Sequence, residues 1–245
     1  MLKLKNWTIK NFGQNNVVLD DINLEFKPKQ LSAIIGASGI GKTTLINSIA
    51  INANIINGSL NFEGNEIDLK NHFKFKWFRK NIGIISQKST LIQEISVYDN
   101  LKFVMAQRNN FLFKFFNIIN KKQKQEIYDL LLSLKIIDKV FYKVSDLSGG
   151  EAQRVEIAKL FIRKPKIILA DEPTSSLDLS NSKNIIAMLK KLTVELNAVG
   201  IVIIHNIELL KNEIDNVIAL KDKKILFNKI PKLITESDFK KLYED

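Results

Sequence analysis

The sequence contains no cysteine, which excludes disulfide bonds and thiolate-ligated metal sites. No run of about 18 consecutive residues is both uncharged and apolar, so the sequence predicts no transmembrane helix. Its first residues, MLKLKNWTIKNFG, also lack the apolar core of a secretory signal peptide. From these absences we expect a cytoplasmic protein.

Arginine is scarce as well, with only four among the 37 basic residues of a chain whose net charge is +11. A strongly basic chain can attract the phosphates of nucleic acids. A lysine-rich surface without arginine or aromatic readers, however, is weak support for a nucleic-acid-binding face. The abundance of lysine, asparagine and isoleucine is also typical of AT-rich coding. We therefore favour ordinary solvated lysine surface and predict no nucleic-acid partner.

Strand and helix patterns alternate along the chain. The runs NWTIKNFG and VVLDDINLEF predict strands near the N-terminus. KIILADEP and GIVIIHN contain continuous apolar runs, which are typical of parallel strands covered on both faces. Between about Ser96 and Lys164, apolar residues at three-to-four spacing predict a helical insert. The expected fold class is therefore α/β, with a β-rich N-terminal part and a mostly parallel core sheet.

A glycine-rich loop, GASGIGKTT, follows the apolar run LSAII and precedes a helical pattern. It matches G-x-x-x-x-G-K-[ST], the phosphate-binding P-loop, in the context that this motif requires. The glycines let backbone N–H groups surround phosphates, Lys42 offsets β- and γ-phosphate charge, and Thr43 ligates Mg²⁺. The residues expected to bind the nucleotide here are Gly36, Ala37, Ser38, Gly39, Ile40, Gly41, Lys42, Thr43 and Thr44.

Two carboxylates end the buried strand in IILADEP. Behind a P-loop, Asp171 is placed to hold Mg²⁺, usually through water, because Mg²⁺ gives up its hydration shell reluctantly. Glu172 is placed to orient or deprotonate the water that attacks the γ-phosphate. We therefore expect Asp171 to serve the metal and Glu172 to serve catalysis.

A second phosphate-ready helix start lies in DLSGGEAQRVEIAKL. Ser148, Gly149 and Gly150 precede a predicted helix, so their N–H groups and the helix N-terminus form an anion site. With GASGIGKTT, ILADEP, SSLD and IIHN in this order, LSGGE makes the whole chain resemble the ATP-binding subunits of ABC transporters. The resemblance implies a P-loop NTPase of the ABC-ATPase fold: one domain over residues 1–245, with a helical subdomain at about 96–164 inserted in a RecA-like core. It also implies ATP and Mg²⁺ as ligands.

The resemblance assigns roles to residues that are uninformative by themselves. Gln87 matches the glutamine that contacts Mg²⁺ or water and faces the membrane subunit, and His205 matches the histidine that contacts the γ-phosphate. Asp178 in SSLD matches a residue that touches the other monomer. Phe12 stands where relatives place a tyrosine that stacks on adenine, with core packing as the alternative. Glu151 replaces the glutamine of many relatives. Catalysis is thereby assigned to Glu172, His205, Lys42 and Gln87.

In related proteins the P-loop of one chain and the LSGG of another close on the same ATP. The resemblance therefore implies a head-to-tail dimer, expected to be a homodimer, with two composite ATP sites. Two other classes stay open: a soluble ABC ATPase that acts on nucleic acid or the ribosome, and a non-hydrolysing P-loop scaffold. The chain lacks the long coiled coil and the second cassette of the former, and Glu172 and His205 disfavour the latter.

The helical insert and the C-terminal end resemble those of phosphonate-type importer ATPases and of mycoplasma high-affinity transport ATPases. The resemblance lies in NNFLFKFFNIINKKQKQ, in IDKVFYKVSDLSGG and in the ending LITESDFKKLYED. It implies membrane permease partners, an extracytoplasmic substrate-binding protein and a place at the cytoplasmic face of the cell membrane. Phosphonate, phosphate-ester, thiamine-like and lipoprotein-export cargoes stay open. The aromatic cluster with Phe113, Phe115 and Phe116 is predicted either to face the permease or to pack the subdomain core.

Overall fold

The computed structural model describes residues 1–10, 16–68, 71–86, 89–108 and 115–244. The strands of this part of the chain are β1 (Leu2–Lys10), β2 (Val17–Phe26), β3 (Leu31–Ile35), β4 (Asn54–Phe62), β5 (Asn65–Glu66), β6 (Ile82–Ile85), β7 (Ile167–Ala170), β8 (Val199–Ile203), β9 (Asn216–Lys221) and β10 (Lys224–Lys229). Its α-helices are α1 (Lys42–Ile49), α2 (His72–Lys80), α3 (Val97–Ala106), α4 (Lys121–Ser133), α5 (Gly149–Arg163), α6 (Leu179–Glu195) and α7 (Glu236–Tyr243).

The N-terminal strands form an antiparallel sheet in the order β2-β1-β4-β5. Leu2 of the central strand β1 pairs with Phe26 on one side and with Phe62 on the other. Alternate residues of β2, namely Ile22, Leu24 and Phe26, are buried because one face of the sheet is covered. The β-rich N-terminal part predicted from the sequence is confirmed.

The central sheet has the order β10-β9-β3-β8-β7-β6. From β9 to β6 every neighbouring pair is parallel, and only the edge strand β10 is antiparallel. The prediction of a mostly parallel core sheet is therefore confirmed. Because parallel strands point the same way, the carboxyl ends of β3, β6, β7 and β8 lie at one edge of the sheet, where α/β proteins bind their ligands.

Two hydrophobic cores lie on opposite faces of the central sheet. Alternate residues of β3 separate them: Ala33 and Ile35 face the core shared with the larger helices, whereas Ile34 faces the core shared with the antiparallel sheet and α1. β7 divides in the same way, with Ile168 in the first core and Leu169 in the second. This two-sided burial explains the unbroken apolar runs of these strands.

Helices α3, α4 and α5 occupy the segment between β6 and β7, with short 3-10 turns at Ile137–Lys139 and Val144–Asp146. Phe115 and Phe116 lie outside the core, with 74% and 65% of their surface exposed, so the core-packing interpretation is wrong for these two rings. Phe113 falls outside the described residues. None of the helices in the described residues combines the length and apolar character needed to cross a bilayer.

Candidate active site

The glycine-rich loop connects the end of β3 to the start of α1. Gly36, Gly39 and Gly41 adopt positive φ angles of 150°, 78° and 109°, which L side chains rarely adopt. A Cβ on Gly36 would lie 2.6 Å from the backbone oxygen of Leu220, and one on Gly41 would lie 2.8 Å from a methyl group of Val18. Glycine is therefore required at both positions for the loop to close against β9 and β2.

Lys42 is the first residue of α1, and its side chain folds back into the loop. Its Nζ donates hydrogen bonds to the carbonyl oxygens of Gly36, at 2.9 Å, and of Ala37, at 2.8 Å. The residue is only 5% exposed, and burial lowers the pKa of the Lys42 ammonium, which the charges of Glu172 and Asp171 oppose. The ammonium group is thereby held inside the loop that surrounds the phosphates in P-loop proteins.

Thr43 and Asp171 come together although they stand 128 positions apart in the sequence. The Thr43 hydroxyl donates to Asp171 Oδ1 at 3.1 Å, and the Asp171 backbone N–H donates to Ile85 O at 2.8 Å across β7 and β6. Burial raises the pKa of the Asp171 carboxyl, and the hydrogen bond from Thr43 partly offsets this. A hydroxyl and a carboxylate are the hard oxygen ligands that suit Mg²⁺.

The donor set around Thr43 fits a metal that is held jointly with a substrate. Among the described residues, no group of three or more His, Cys, Asp or Glu side chains is placed to hold a metal ion. Mg²⁺ at phosphate sites characteristically takes one or two protein oxygens and completes its shell with phosphate and water. One carboxylate and one hydroxyl beside a phosphate loop therefore fit Mg²⁺ bound together with a nucleotide.

Glu172 and His205 form a direct pair, with His205 Nε2 at 2.5 Å from Glu172 Oε1. The two residues follow β7 and β8, which are neighbours in the sheet, and this adjacency brings them together. Glu172 has a φ of 51°, in the left-handed region that non-glycine residues seldom occupy. Both side chains line a cavity of about 200 Å³. The pair is therefore accessible to a small molecule such as water.

The LSGGE stretch, here called the signature, starts α5, the signature helix, at a residue other than the one predicted. Gly149 and Gly150 are the first two residues of the helix rather than residues before it, and Ser148 is the N-cap. Glu151 Oε2 accepts hydrogen bonds from the Ser148 N–H, at 2.8 Å, and from the Ser148 hydroxyl, at 2.9 Å. The Ser148 N–H lowers the pKa of the Glu151 carboxyl most strongly. The N-terminus of α5 is therefore already bonded to a carboxylate of the same chain, that of Glu151.

Asp178 is also a capping residue. Its carboxylate accepts from the backbone N–H of Asn181 at 2.9 Å and from the Asn181 side chain at 2.6 Å, and so it starts α6. These bonds lower the pKa of the Asp178 carboxyl. The segment before it lies close to the signature helix, because a Cβ on Gly149 would meet Ser176 Oγ at 3.3 Å.

The structure gathers most of the predicted residues at one edge of the central sheet. Thr43 is hydrogen-bonded to Asp171, whose charge also acts on Lys42, and Glu172 is hydrogen-bonded to His205. Phe12 and Gln87 lie outside the described residues. The sequence analysis did not select Ser175 and Asn206, which line the cavity beside Glu172. Ser175 lies two positions after DEP and Asn206 directly follows IIH, so their closeness to these two motifs could have identified them.

Known proteins resemble this chain over its whole length. The sequence profile of the ABC transporter family matches residues 19–175. This chain belongs to the ABC transporter ATP-binding family. The resemblance stated from its motifs is therefore confirmed, and with it the class of activity, which is ATP hydrolysis by an ATP-binding cassette.

Two relatives place this ABC ATPase among transport subunits. It is 34% identical over 244 residues to the probable ABC transporter ATP-binding protein p29 of Mesomycoplasma hyorhinis, covering 100% of this chain and 97% of the relative. It is 35% identical over 231 residues to the phosphonates import ATP-binding protein PhnC of Mesoplasma florum, covering 92% and 93%. The chain is thus an ABC ATP-binding subunit of a transporter, with relatives named for phosphonate import.

Two solved structures confirm the fold of this ABC ATPase. The dimeric post-hydrolysis state of the cassette MJ0796, bound to ADP and Pi, superposes with a TM-score of 0.77 at 27% identity, covering 94% of this chain and 99% of that one. The cbiO1 protein of Clostridium perfringens, part of the cbiONQ transporter, gives a TM-score of 0.82 at 24% identity, covering 98% and 92%. The predicted ABC-ATPase fold is therefore confirmed.

Proposed function

We propose that this ABC ATPase energises a membrane importer of the phosphonate type, as a head-to-tail dimer closed around two ATP molecules. The observation that carries the catalytic part is the convergence of the glycine loop, the Thr43–Asp171 pair and the Glu172–His205 pair at one sheet edge. The importer assignment is supported by the relatives named for phosphonate import. Residues 1–245 act as one ATPase domain, with a helical subdomain at about 96–164.

ATP binds first through the glycine loop. The N–H groups of the loop and the N-terminus of α1 favour the phosphates, because helix N-termini carry partial positive charge. Lys42 exchanges its bonds to Gly36 O and Ala37 O for the β- and γ-phosphates. Thr43, Asp171 and Gln87 are the residues that would hold Mg²⁺. When bound, Mg²⁺ offsets charge on the β- and γ-phosphate oxygens.

Hydrolysis is an in-line attack of water on the γ-phosphate. In the described structure His205 holds the Glu172 carboxylate at 2.5 Å. When ATP binds, His205 forms a hydrogen bond with a γ-phosphate oxygen instead of with Glu172. The Glu172 carboxylate then orients the attacking water and accepts its proton. The left-handed backbone of Glu172 aims this carboxylate into the cavity that it shares with His205. ADP and phosphate then leave, and the proton leaves Glu172 for solvent.

The dimer follows from having one glycine loop and one signature helix per chain. Ser148, Gly149, Gly150 and Glu151 of one chain are presented to the ATP held by the loop of the other, and Asp178 lies at the contact between the chains. The dimeric cassette MJ0796 with ADP and Pi, at 27% identity, supports this arrangement. Closure on ATP and separation after product release are the mechanical output.

The transporter requires membrane permease subunits and an extracytoplasmic substrate-binding protein. The permease docks on the helical subdomain near the exposed rings of Phe115 and Phe116, which pack edge to face at 5.2 Å between ring centres. Burial of such exposed rings is a common source of binding energy at protein interfaces. This docking places the ATPase at the cytoplasmic face of the membrane.

Replacement of Glu172 by Gln tests the catalytic proposal. The amide keeps the shape of the carboxylate but cannot accept the proton, so turnover should fall by about 100-fold or more. ATP should then remain bound and hold the dimer closed. Phosphate release and sedimentation with ATP and Mg²⁺ measure the two effects.

The matched control is Glu195→Gln, which changes an exposed glutamate at the far end of α6 that pairs with Lys191. It should hydrolyse ATP like the parent chain. A Glu172→Gln variant that stayed monomeric with ATP and still hydrolysed it would contradict the mechanism.

A further inference from the structure

Glu156, on the signature helix α5, is almost completely buried. Only 3% of its surface is exposed, whereas glutamate is rarely buried to this extent unless its charge is paired. It lies outside LSGGE and the other family motifs, although it is on the same helix as LSGGE. A carboxylate kept in the interior at this cost must be held by specific partners.

The partners of Glu156 come from a segment far away in the sequence. Glu156 Oε1 accepts hydrogen bonds from the Thr90 N–H at 2.6 Å, from the Thr90 hydroxyl at 2.9 Å and from the Ser89 hydroxyl at 3.1 Å. Its other oxygen accepts from Lys159 Nζ at 2.8 Å, and Lys159 also donates to the Thr90 hydroxyl. One carboxylate thus fixes the backbone of Thr90 and the side chains of both Ser89 and Thr90.

These contacts join two parts of the proposed ATP machinery. Ser89 and Thr90 follow Gln87 by two and three positions. On the other side of Gln87, Ile85 O accepts a hydrogen bond from the Asp171 N–H at 2.8 Å. Ile85 and the pair Ser89–Thr90 thus stand on either side of Gln87 in the sequence, the former bonded to Asp171 and the latter to α5.

The signature helix carries the far end of this connection. Glu156 and the N-cap Ser148 belong to one continuous helix, and they are about 12 Å apart along its axis. A displacement of Thr90 is therefore passed to Ser148 through a stiff element. In the proposed head-to-tail dimer, Gln87 serves one ATP and Ser148 serves the other.

We propose that Glu156 is a positioning residue that links the Gln87 segment to the signature helix, so that occupation of one ATP site prepares the other. The inference rests on the proposed function, because it takes Gln87 and Ser148 to act on the two ATP molecules of a dimer. Its consequence is cooperativity: ATP hydrolysis by the parent chain should have a Hill coefficient above 1.

The test replaces the buried pair by the double variant Glu156→Met with Lys159→Met. Apolar residues of similar volume commonly preserve stability at such a site. Thermal unfolding and fluorescent-ATP binding by the monomer should stay close to the parent values. The Hill coefficient should fall to 1, and kcat should fall on the order of tenfold, as small misplacements of reacting groups cause. Hydrogen exchange at the Thr90 amide should accelerate.

Two further variants separate positioning from simple structural support. Glu156→Gln retains an oxygen that can accept from the Thr90 N–H and from the hydroxyl groups of Ser89 and Thr90, and should keep the cooperativity. Arg154→Gln changes a polar side chain of the same helix whose hydrogen bond goes to Leu134 O at 2.9 Å, and should also keep it. If the double variant does not fold, Ser89→Ala with Thr90→Val removes the hydroxyl partners instead, and the same loss of cooperativity is expected.

The outcomes distinguish this inference from the proposed function. A parent chain with a Hill coefficient of 1, or a folded variant that retained parental cooperativity and kcat, would overturn the role of Glu156. A parent chain that did not hydrolyse ATP at all would instead overturn the proposed function.

Discussion

Helices α1 and α5 both begin at glycine-rich sequences, but their first turns are prepared differently. The N-cap of α1 is Gly41, and within the described chain no side chain caps this helix and its first turn has no acidic residue. The N-cap of α5 is Ser148, which forms a reciprocal capping box with Glu151. Within that part of the chain, no side chain therefore caps the first N–H groups of α1, whereas Ser148 and Glu151 satisfy part of the N–H groups at the start of α5.

The difference indicates the order in which a nucleotide engages the two sites. The start of α1 offers free N–H groups and the buried ammonium of Lys42, so it is organised for a triphosphate in advance. The start of α5 carries the Glu151 carboxylate, which repels a second anion and holds the Ser148 hydroxyl. We therefore expect ATP to bind the glycine loop first and to engage α5 only when dimer closure supplies further contacts.

Among the variants that compare the two helix starts, Gly36→Ala gives the largest expected effect, because it damages the glycine loop before α1. Its Cβ would lie 2.6 Å from the backbone oxygen of Leu220, which cannot move without shifting β9. ATP affinity should fall by tenfold or more, about 1.4 kcal/mol in binding free energy. Titration of the monomer with fluorescent ATP measures this loss.

Gly39→Ala is the matched control for this loop. Gly39 also has a positive φ, of 78°, but a Cβ there would meet nothing within 4 Å. Gly39→Ala should therefore cause no steric clash, and the only expected penalty is a backbone strain of about 1 kcal/mol in the folded loop. Equal losses of affinity in the two variants would show that the close approach to β9 does not shape the site.

The sequence predicted the parts of this site that local motifs encode. The loop around Lys42 follows from its spacing, and Asp171 follows from its place at the end of an apolar strand behind that loop. His205 was assigned by the resemblance of IIHN to the family motif. The strand order of the central sheet and the Glu156–Thr90 contact, which spans 66 positions, could not be predicted, because both depend on long-range packing. The capping of α5 by Glu151 was encoded locally but was not recognised. The catalytic roles of these residues stay predictions until variants are measured.

Glu151→Gln should sharpen the comparison between the two helix starts. Removal of the charge weakens repulsion of ATP at α5, so ATP-driven dimers should tighten by about two- to fivefold, and less at high salt. The same change should cost about 0.3–1 kcal/mol of stability, because a carboxylate at a helix N-terminus interacts favourably with the helix dipole. Sedimentation in the Glu172→Gln background, at low and high salt, measures the first effect. A weaker dimer would show that Glu151 assists ATP binding at this site.

Asp238→Asn gives the smallest expected effect and provides a capping box without a proposed ligand. Asp238 pairs with Thr235 at the start of α7 and accepts from Lys229 at 2.8 and 2.9 Å. The hydrogen bonds from Lys229, and next those from Thr235, lower the pKa of the Asp238 carboxyl from 3.8 to about 2. Because the folded pKa is depressed, its stabilising effect is complete above pH 3.8 and is lost as the pH falls toward about 2. In urea unfolding, the variant should therefore be less stable than the parent at pH 6, and the difference should shrink below pH 4. Asp222→Asn, at an exposed turn residue, is the control for the loss of one surface carboxylate. ATP-driven dimerisation should be unchanged in both, so an altered dimer in Asp238→Asn would mean that the Glu151 effect reflects capping in general rather than the anion site of α5.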